Sequence, residues 1–207
     1  MRLLLLSALL CLSACSVTPR FNSVETYFKS KGISEPTLES LPHCHGYGCK
    51  FLVDTALTKK EWESITKPLK RKAKTSEKER KNLAETLENF EKVVGNKTGT
   101  FEDVADTFDK RGDFQLDCAD ESTNMSLYLK LLENNGKLKF HTASPPIIRG
   151  LSSGGYWLHE TAVIKEIKTE QEYAVDAWWK DNGNAPYIIK LEDWLNGLTQ
   201  PPKTGPV

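Results

Sequence analysis

The sequence predicts an α+β fold, with N-terminal helices followed by a cysteine-headed helix packed on an antiparallel β-sheet. Apolar residues recur at the 3.6-residue period as far as about residue 134, then at a period of two from about residue 159. The two period-two runs are joined by a short polar turn and read as an antiparallel hairpin. A chain of 207 residues is long enough for one such domain with extensions.

The chain begins with Arg2 and an apolar run, Leu3 to Leu12, interrupted only by Ser7. A charge, a short apolar core and the small residues Ser13 and Ala14 make a signal peptide of residues 1–14. Its core is too short to span a bilayer, which takes roughly 20 apolar residues. Leu12-Ser13-Ala14-Cys15 resembles a lipobox, and the resemblance implies cleavage before Cys15 and lipid attachment to its thiol. The chain is therefore expected to be a lipoprotein tied to a membrane through Cys15. Ser16, not Asp, follows the cysteine, for which the resemblance implies the outer membrane, facing the periplasm.

Residues 15–40 read as a tether and first helix, with Phe21, Val24, Tyr27 and Phe28 at helical spacing and Gly32 as its end. A single α+β domain is expected over residues 41–198, with a Pro-rich tail at 199–207. Within it, residues 42–50 (PHCHGYGCK) read as a turn-rich loop. Ser76 to Val94 reads as the clearest helix, with Leu83, Leu87, Phe90, Val93 and Val94 as its stripe, Ser76 and Glu79 as a capping box and Gly95 as its stop. A shorter amphipathic piece is expected at Thr100–Asp109.

Residues 118–134 read as a second helix, capped by Asp117, with Asp120 and Glu121 in its first turn and Asn135-Gly136 as its close. Strands are expected at Gly136–His141, His159–Ile167, Tyr173–Trp179 and Tyr187–Leu191, with Ser144-Pro145-Pro146 as a turn. Gly150–Gly155 reads as a flexible loop before His159.

Charge is balanced, with 28 basic and 28 acidic residues, so composition gives no argument for nucleic acid as a partner. It is uneven, however: Lys67, Lys70, Arg71, Lys72 and Lys74 form a run with no anion among them. That run reads as a solvated helical face, or as a contact for anionic headgroups. No cofactor is indicated, and no protein partner can be named.

With Cys11 and Cys15 assigned to the leader and the lipid, Cys44, Cys49 and Cys118 remain, an odd number in an oxidising compartment. Cys44 and Cys49 are expected to form a disulfide around His45-Gly46-Tyr47-Gly48. A metal site from His43, Cys44, His45 and Cys49 has poor spacing for zinc, which takes two separated pairs, so no metal is expected. Cys118 is then the unpaired thiol. At a helix N-terminus, free N–H groups and the dipole favour a thiolate. His159 starts one strand of a hairpin and Asp176 lies on the other. The midpoint of their positions falls beside the Lys168–Gln171 turn, so the two side chains should be neighbours or one row apart. An imidazole held by a carboxylate is the orienting half of a nucleophilic triad.

The order Cys118, His159, Asp176, with Trp178 and Trp179 after the aspartate, resembles the transglutaminase-like branch of the papain-like cysteine hydrolases over about residues 110–195. The segments around Asp117-Cys118-Ala119-Asp120 and Cys44–Cys49 also resemble a group of uncharacterised bacterial exported proteins. The first resemblance implies that Cys118 attacks an amide carbonyl, His159 shuttles the proton and Asp176 orients His159. The envelope location suggests peptide or peptidoglycan-type substrates. Two features oppose activity. Asp117, Asp120 and Glu121 surround the thiol with negative charge, which disfavours its ionisation. The side chain of the right type for oxyanion support, Gln115, lies only three residues before Cys118. The alternative is a binding or scaffolding lipoprotein that has lost the chemistry.

Overall fold

The computed structural model describes residues 20–107, 112–150 and 158–199. The expected signal peptide, Cys15 with its expected lipid attachment, most of the loop before His159 and the tail from residue 200 lie outside the described residues. The protein is α+β. In chain order it has α1 (Val24–Ser30), β1 (Leu41–His45), β2 (Phe51–Thr55), α2 (Lys59–Ile65), α3 (Ser76–Thr98), α4 (Cys118–Asn134), β3 (His141–Arg149), β4 (His159–Glu166), β5 (Glu172–Asp176), β6 (Tyr187–Lys190) and α5 (Leu191–Leu195).

The centre of the fold is α4. It packs on β3, β4 and β5 on one side and on β1 and α3 on others. Residues Asp120 to Leu129 are buried without a break, which no surface helix tolerates. Its polar residues therefore need internal partners. Ser126 and Thr123 donate to the carbonyls one turn back, at 2.8 and 2.7 Å. Asn124 brackets the Cys44 peptide, accepting from its N–H at 2.7 Å and donating to its carbonyl at 2.9 Å. The apolar core lies between α4, α3, α1 and the near face of the sheet, with Phe90 stacked on Tyr128 at 4.6 Å.

The four-stranded sheet is antiparallel in the order β3-β4-β5-β6. Ala162 and Ile164 of β4, with Val175 of β5, face the main core. Val163 and Ala174 face a smaller one with Ile189, Leu191 and Trp194. Ala162 pairs with Val175, so the register carries Asp176 opposite Thr161, one row from His159. The Lys168–Gln171 turn sets this register, as its polar composition predicted.

Several local expectations are corrected. Residues 42–50 are not all loop: β1 is fully buried and pairs with β2, Cys44 opposite Leu52. The strand exists because α4 covers it, a non-local contact with no signal in the local sequence. Thr75, not Ser76, caps α3, its hydroxyl accepting from Lys78 N–H at 3.2 Å. Gly95 does not end α3; Gly99 does, in the left-handed region at φ 87°. Gly95 sits where Asn182 packs, and a Cβ there would come 2.7 Å from the Asn182 Oδ1.

Thr100–Glu102 is a single 3₁₀ turn rather than a longer helix. β3 runs through Ser144-Pro145-Pro146, which the sequence suggested as a turn. As an edge strand with a register shift between Ser144 and Ile147, it tolerates prolines that cannot donate to a ladder. β5 stops at Asp176, freeing Trp178 and Trp179 to fold over the sheet end, and α5 follows β6 directly.

Candidate functional site

Cys118 is the first residue of α4. Asp117 caps the helix, its carboxylate accepting from Ala119 and Asp120 N–H at 3.0 and 2.9 Å, while the Asp120 side chain reaches back to Asp117 N–H at 3.2 Å. The cap by Asp117 is the one expected from the sequence; the reciprocal bond from Asp120 was not. The Cys118 N–H is left as a first-turn donor that the cap does not take.

The other side of Asp120 explains the disulfide loop. Cys44 and Cys49 are bonded, as the sequence suggested. Gly46, Tyr47, Gly48 and Cys49 itself all have positive φ, at 84, 71, 67 and 60°. Such a run turns successive N–H groups inward into an anion nest. The Asp120 carboxylate sits in that nest, accepting from Tyr47 N–H at 2.8 Å and from Cys49 N–H. Sequence reasoning found the disulfide but not its function of clamping the start of α4. The two histidines of the loop have protein partners: His43 bonds Tyr128 and Thr100, at 3.1 and 3.2 Å, and His45 bonds the Asp113 carbonyl.

His159 and Asp176 meet as the hairpin arithmetic required. His159 Nε2 lies 2.7 Å from Asp176 Oδ2, with both residues buried. The same oxygen accepts from Trp194 Nε1 at 2.7 Å and from Trp179 Nε1 at 3.1 Å. Trp178, Trp179 and Trp194 pack around the imidazole with ring centroids at 4.9, 5.6 and 5.5 Å. A carboxylate oxygen only accepts, so in the bond to Asp176 the Nε2 of His159 is the donor. Nδ1 is then the basic nitrogen, and it is buried with no partner among the described residues. The contribution of Trp194 was not foreseen in the sequence, because it depends on α5 folding back under the sheet.

The Cys118–His159 half of the constellation is not closed. The thiol lies 3.9 Å from the Leu158 carbonyl, and the Glu160 N–H also reaches it. Cys118 therefore touches the backbone on both sides of His159 without bonding its ring. Burial pushes the thiol pKa up to about 11, with the carboxylates of Asp117, Glu160 and Asp176 adding to the rise and the Glu160 N–H opposing it. Gln115 does not face this chemistry. Its amide donates to the Glu102 carbonyl at 2.9 Å and accepts from Val104 N–H at 3.2 Å, bracing that loop.

Beneath the site lies a group of buried carboxylates: Glu91, Asp103, Asp120 and Glu121. Burial raises all four above the ordinary carboxylate range. The charge of Asp103 adds to the rise at Glu91, that of Asp117 at Asp120, and those of Glu91 and Asp103 at Glu121. Glu160, half-buried, is also raised by burial, and its Oε1 accepts from Tyr27 and Ser122 hydroxyls at 2.8 and 3.2 Å.

No family model, no curated protein and no solved structure matches the chain. Fold and site together define an α+β protein with a buried, tryptophan-lined His–Asp pair beside a free cysteine. Among the described residues no helix is long and apolar enough to cross a membrane.

Proposed function

We propose that this chain is an envelope lipoprotein whose Cys118, His159 and Asp176 form a thiol site with a transglutaminase-like core, hydrolysing or transferring amide bonds of peptide or peptidoglycan-type substrates. One observation carries the reading. His159 is held at Nε2 by Asp176, its Nδ1 has no partner among the described residues, and the Cys118 thiol rests against the peptide that precedes it. A buried imidazole oriented by a carboxylate, with its basic nitrogen unused, is the arrangement a general base needs.

The chemistry then runs as follows. Nδ1 takes the thiol proton, and the imidazolium that forms is stabilised by Asp176. The thiolate attacks the amide carbonyl, and the Cys118 N–H at the helix N-terminus donates to the oxyanion. His159 returns its proton to the leaving amine, and the thioester is resolved by water or by a second amine. Lipid on Cys15 would hold this site at a membrane, with the outer membrane facing the periplasm as the proposed address.

The test is incubation of purified envelope peptidoglycan and of acyl-peptide thiol probes with the wild-type protein and with Cys118→Ala. Covalent capture at Cys118 and release of new peptide termini, both absent in the variant, support the reading. Identical products from both proteins would overturn it.

A second reading is favoured by a specific observation, the thiol pKa near 11 with Sγ engaged by Leu158. It is a binding or scaffolding lipoprotein that keeps the fold without the reaction. It predicts that Cys118→Ser restores every phenotype of a deletion strain.

A further inference from the structure

The Lys-rich run that the thiol site leaves unexplained leads to a second site at the other end of the molecule. A cavity of about 330 Å³ is lined by Leu69, Lys72, Ala73, Glu79, Asn82, Lys137 and Lys139. It lies beyond the C-terminal end of α4, whose 17 residues put about 24 Å between it and Cys118.

The cavity is electropositive. Among the described residues, Lys72, Lys137 and Lys139 have no carboxylate within ion-pair distance. The Lys137 ammonium lies over the Trp62 ring and the Lys139 ammonium over the Phe140 ring, at 5.9 and 4.7 Å. The one acidic residue, Glu79, is fully engaged by Lys139 N–H, Phe140 N–H and His141 Nδ1, at 2.8, 2.8 and 2.9 Å. Three lysines against the single carboxylate of Glu79 leave the lining with an excess of positive charge, which favours an anion.

A second, independent observation points to the rest of the ligand. Asn82 is completely buried and lines the same cavity. Its Nδ2 donates to the Arg71 carbonyl at 2.9 Å, which fixes the orientation of the amide. Its Oδ1 then has no partner among the described residues. A buried acceptor without a donor costs about 1–3 kcal/mol, and a hydroxyl group supplies what it lacks. Lysines act on phosphate as point charges, whereas planar carboxylate recognition favours an arginine fork. Both neighbouring arginines are engaged elsewhere, Arg71 by Glu85 and Arg80 by Glu166.

We propose that this cavity binds a phosphorylated polyol. Lys72, Lys137 and Lys139 hold the phosphate, Asn82 Oδ1 accepts from a hydroxyl, and Leu69 and Ala73 cover the carbon face. A sugar phosphate and the headgroup of phosphatidylglycerol share that chemistry.

The test is calorimetric titration of the full-length protein in neutral detergent with glucose 1-phosphate, dihexanoylphosphatidylglycerol and inorganic phosphate. The same titrations are run on the combined variant Lys72→Gln, Lys137→Gln, Lys139→Gln, whose substitutions lie toward the surface. Saturable binding of the sugar phosphate identifies a soluble ligand, and binding of the short-chain lipid alone identifies a headgroup. In either case the variant should lose affinity by about tenfold or more. Inorganic phosphate binding as tightly as both polyols, no saturable binding, or unchanged affinity in the variant would each overturn the proposal.

Discussion

Asp176 Oδ2 lies 2.7 Å from His159 Nε2 and serves two indole N–H groups besides, so one carboxylate oxygen organises the whole sheet end. Removing it leaves three donors, two of them on buried residues, without an acceptor. Asp176→Ala is expected to cost about 3–5 kcal/mol in denaturant unfolding, and Asp176→Asn distinctly less. Trp194→Phe removes a single donor and should cost about 1 kcal/mol from the hydrogen bond, before any packing effect. Equal stability of Asp176→Ala and wild type would mean that the carboxylate is not the organising group.

Gly95 offers a test with an unintuitive sign. An Ala in a helix interior gains about 1 kcal/mol over Gly from propensity alone. Here its Cβ would displace Asn182, whose Nδ2 donates to Glu91 at 2.7 Å. Gly95→Ala is expected to lower stability by about 1 kcal/mol, and in an Asn182→Ala background the same change should become neutral or stabilising. Thermal unfolding of the four proteins of this cycle checks it.

The disulfide should matter beyond its small loop. Loop closure alone gives about 2 kcal/mol. The paired cysteines also hold the left-handed loop that cradles Asp120, so reduction frees the clamp on α4. Cys49→Ala is expected to lose more than the loop-closure amount and to raise hydrogen exchange in the first turn of α4. Exchange changes confined to residues 44–49 would contradict the clamp.

The buried carboxylates predict the pH dependence of stability. Their folded pKa values are raised above the unfolded ones, so the folded protein binds more protons between the two. Their stabilising contribution is present at low pH and is lost as pH rises through the folded values. His43 acts oppositely. Burial lowers it to about 3, so its contribution is lost as pH falls below the unfolded value near 6.5. Between about pH 6.5 and 8.5 only the carboxylates act, and the melting temperature should fall as pH rises. Glu121→Gln should flatten that slope. A slope unchanged in the variant would remove Glu121 from the account.

The parts of this molecule legible in the sequence are those set by local rules. Asp117 and the acidic first turn announced the start of α4 at Cys118, and Asn135-Gly136 its end. The alternating run from His159 and the polar turn after it gave the hairpin, and with it the meeting of His159 and Asp176. What stayed hidden depends on distant partners. β1 is a strand because α4 covers it, a glycine stands inside α3 at position 95 because Asn182 takes the space of a Cβ, and Pro145-Pro146 lies in a strand because β3 is an edge. The site shows the same division. The spacing of His159 and Asp176 was readable. The tryptophan donors on Asp176, the engagement of Gln115 with residues 102 and 104, and the thiol's position against Leu158 arise from tertiary packing.

The central claim is that Cys118 works with His159, and the most direct measurement is the pH dependence of Cys118 alkylation in the wild-type protein and in His159→Ala. The account predicts labelling at neutral pH that falls about tenfold or more when the imidazole is removed, with equal labelling of the two proteins once unfolded. Slow labelling in both, rising only toward pH 11 and indifferent to His159, would contradict it and leave Cys118 as a buried thiol of a binding protein.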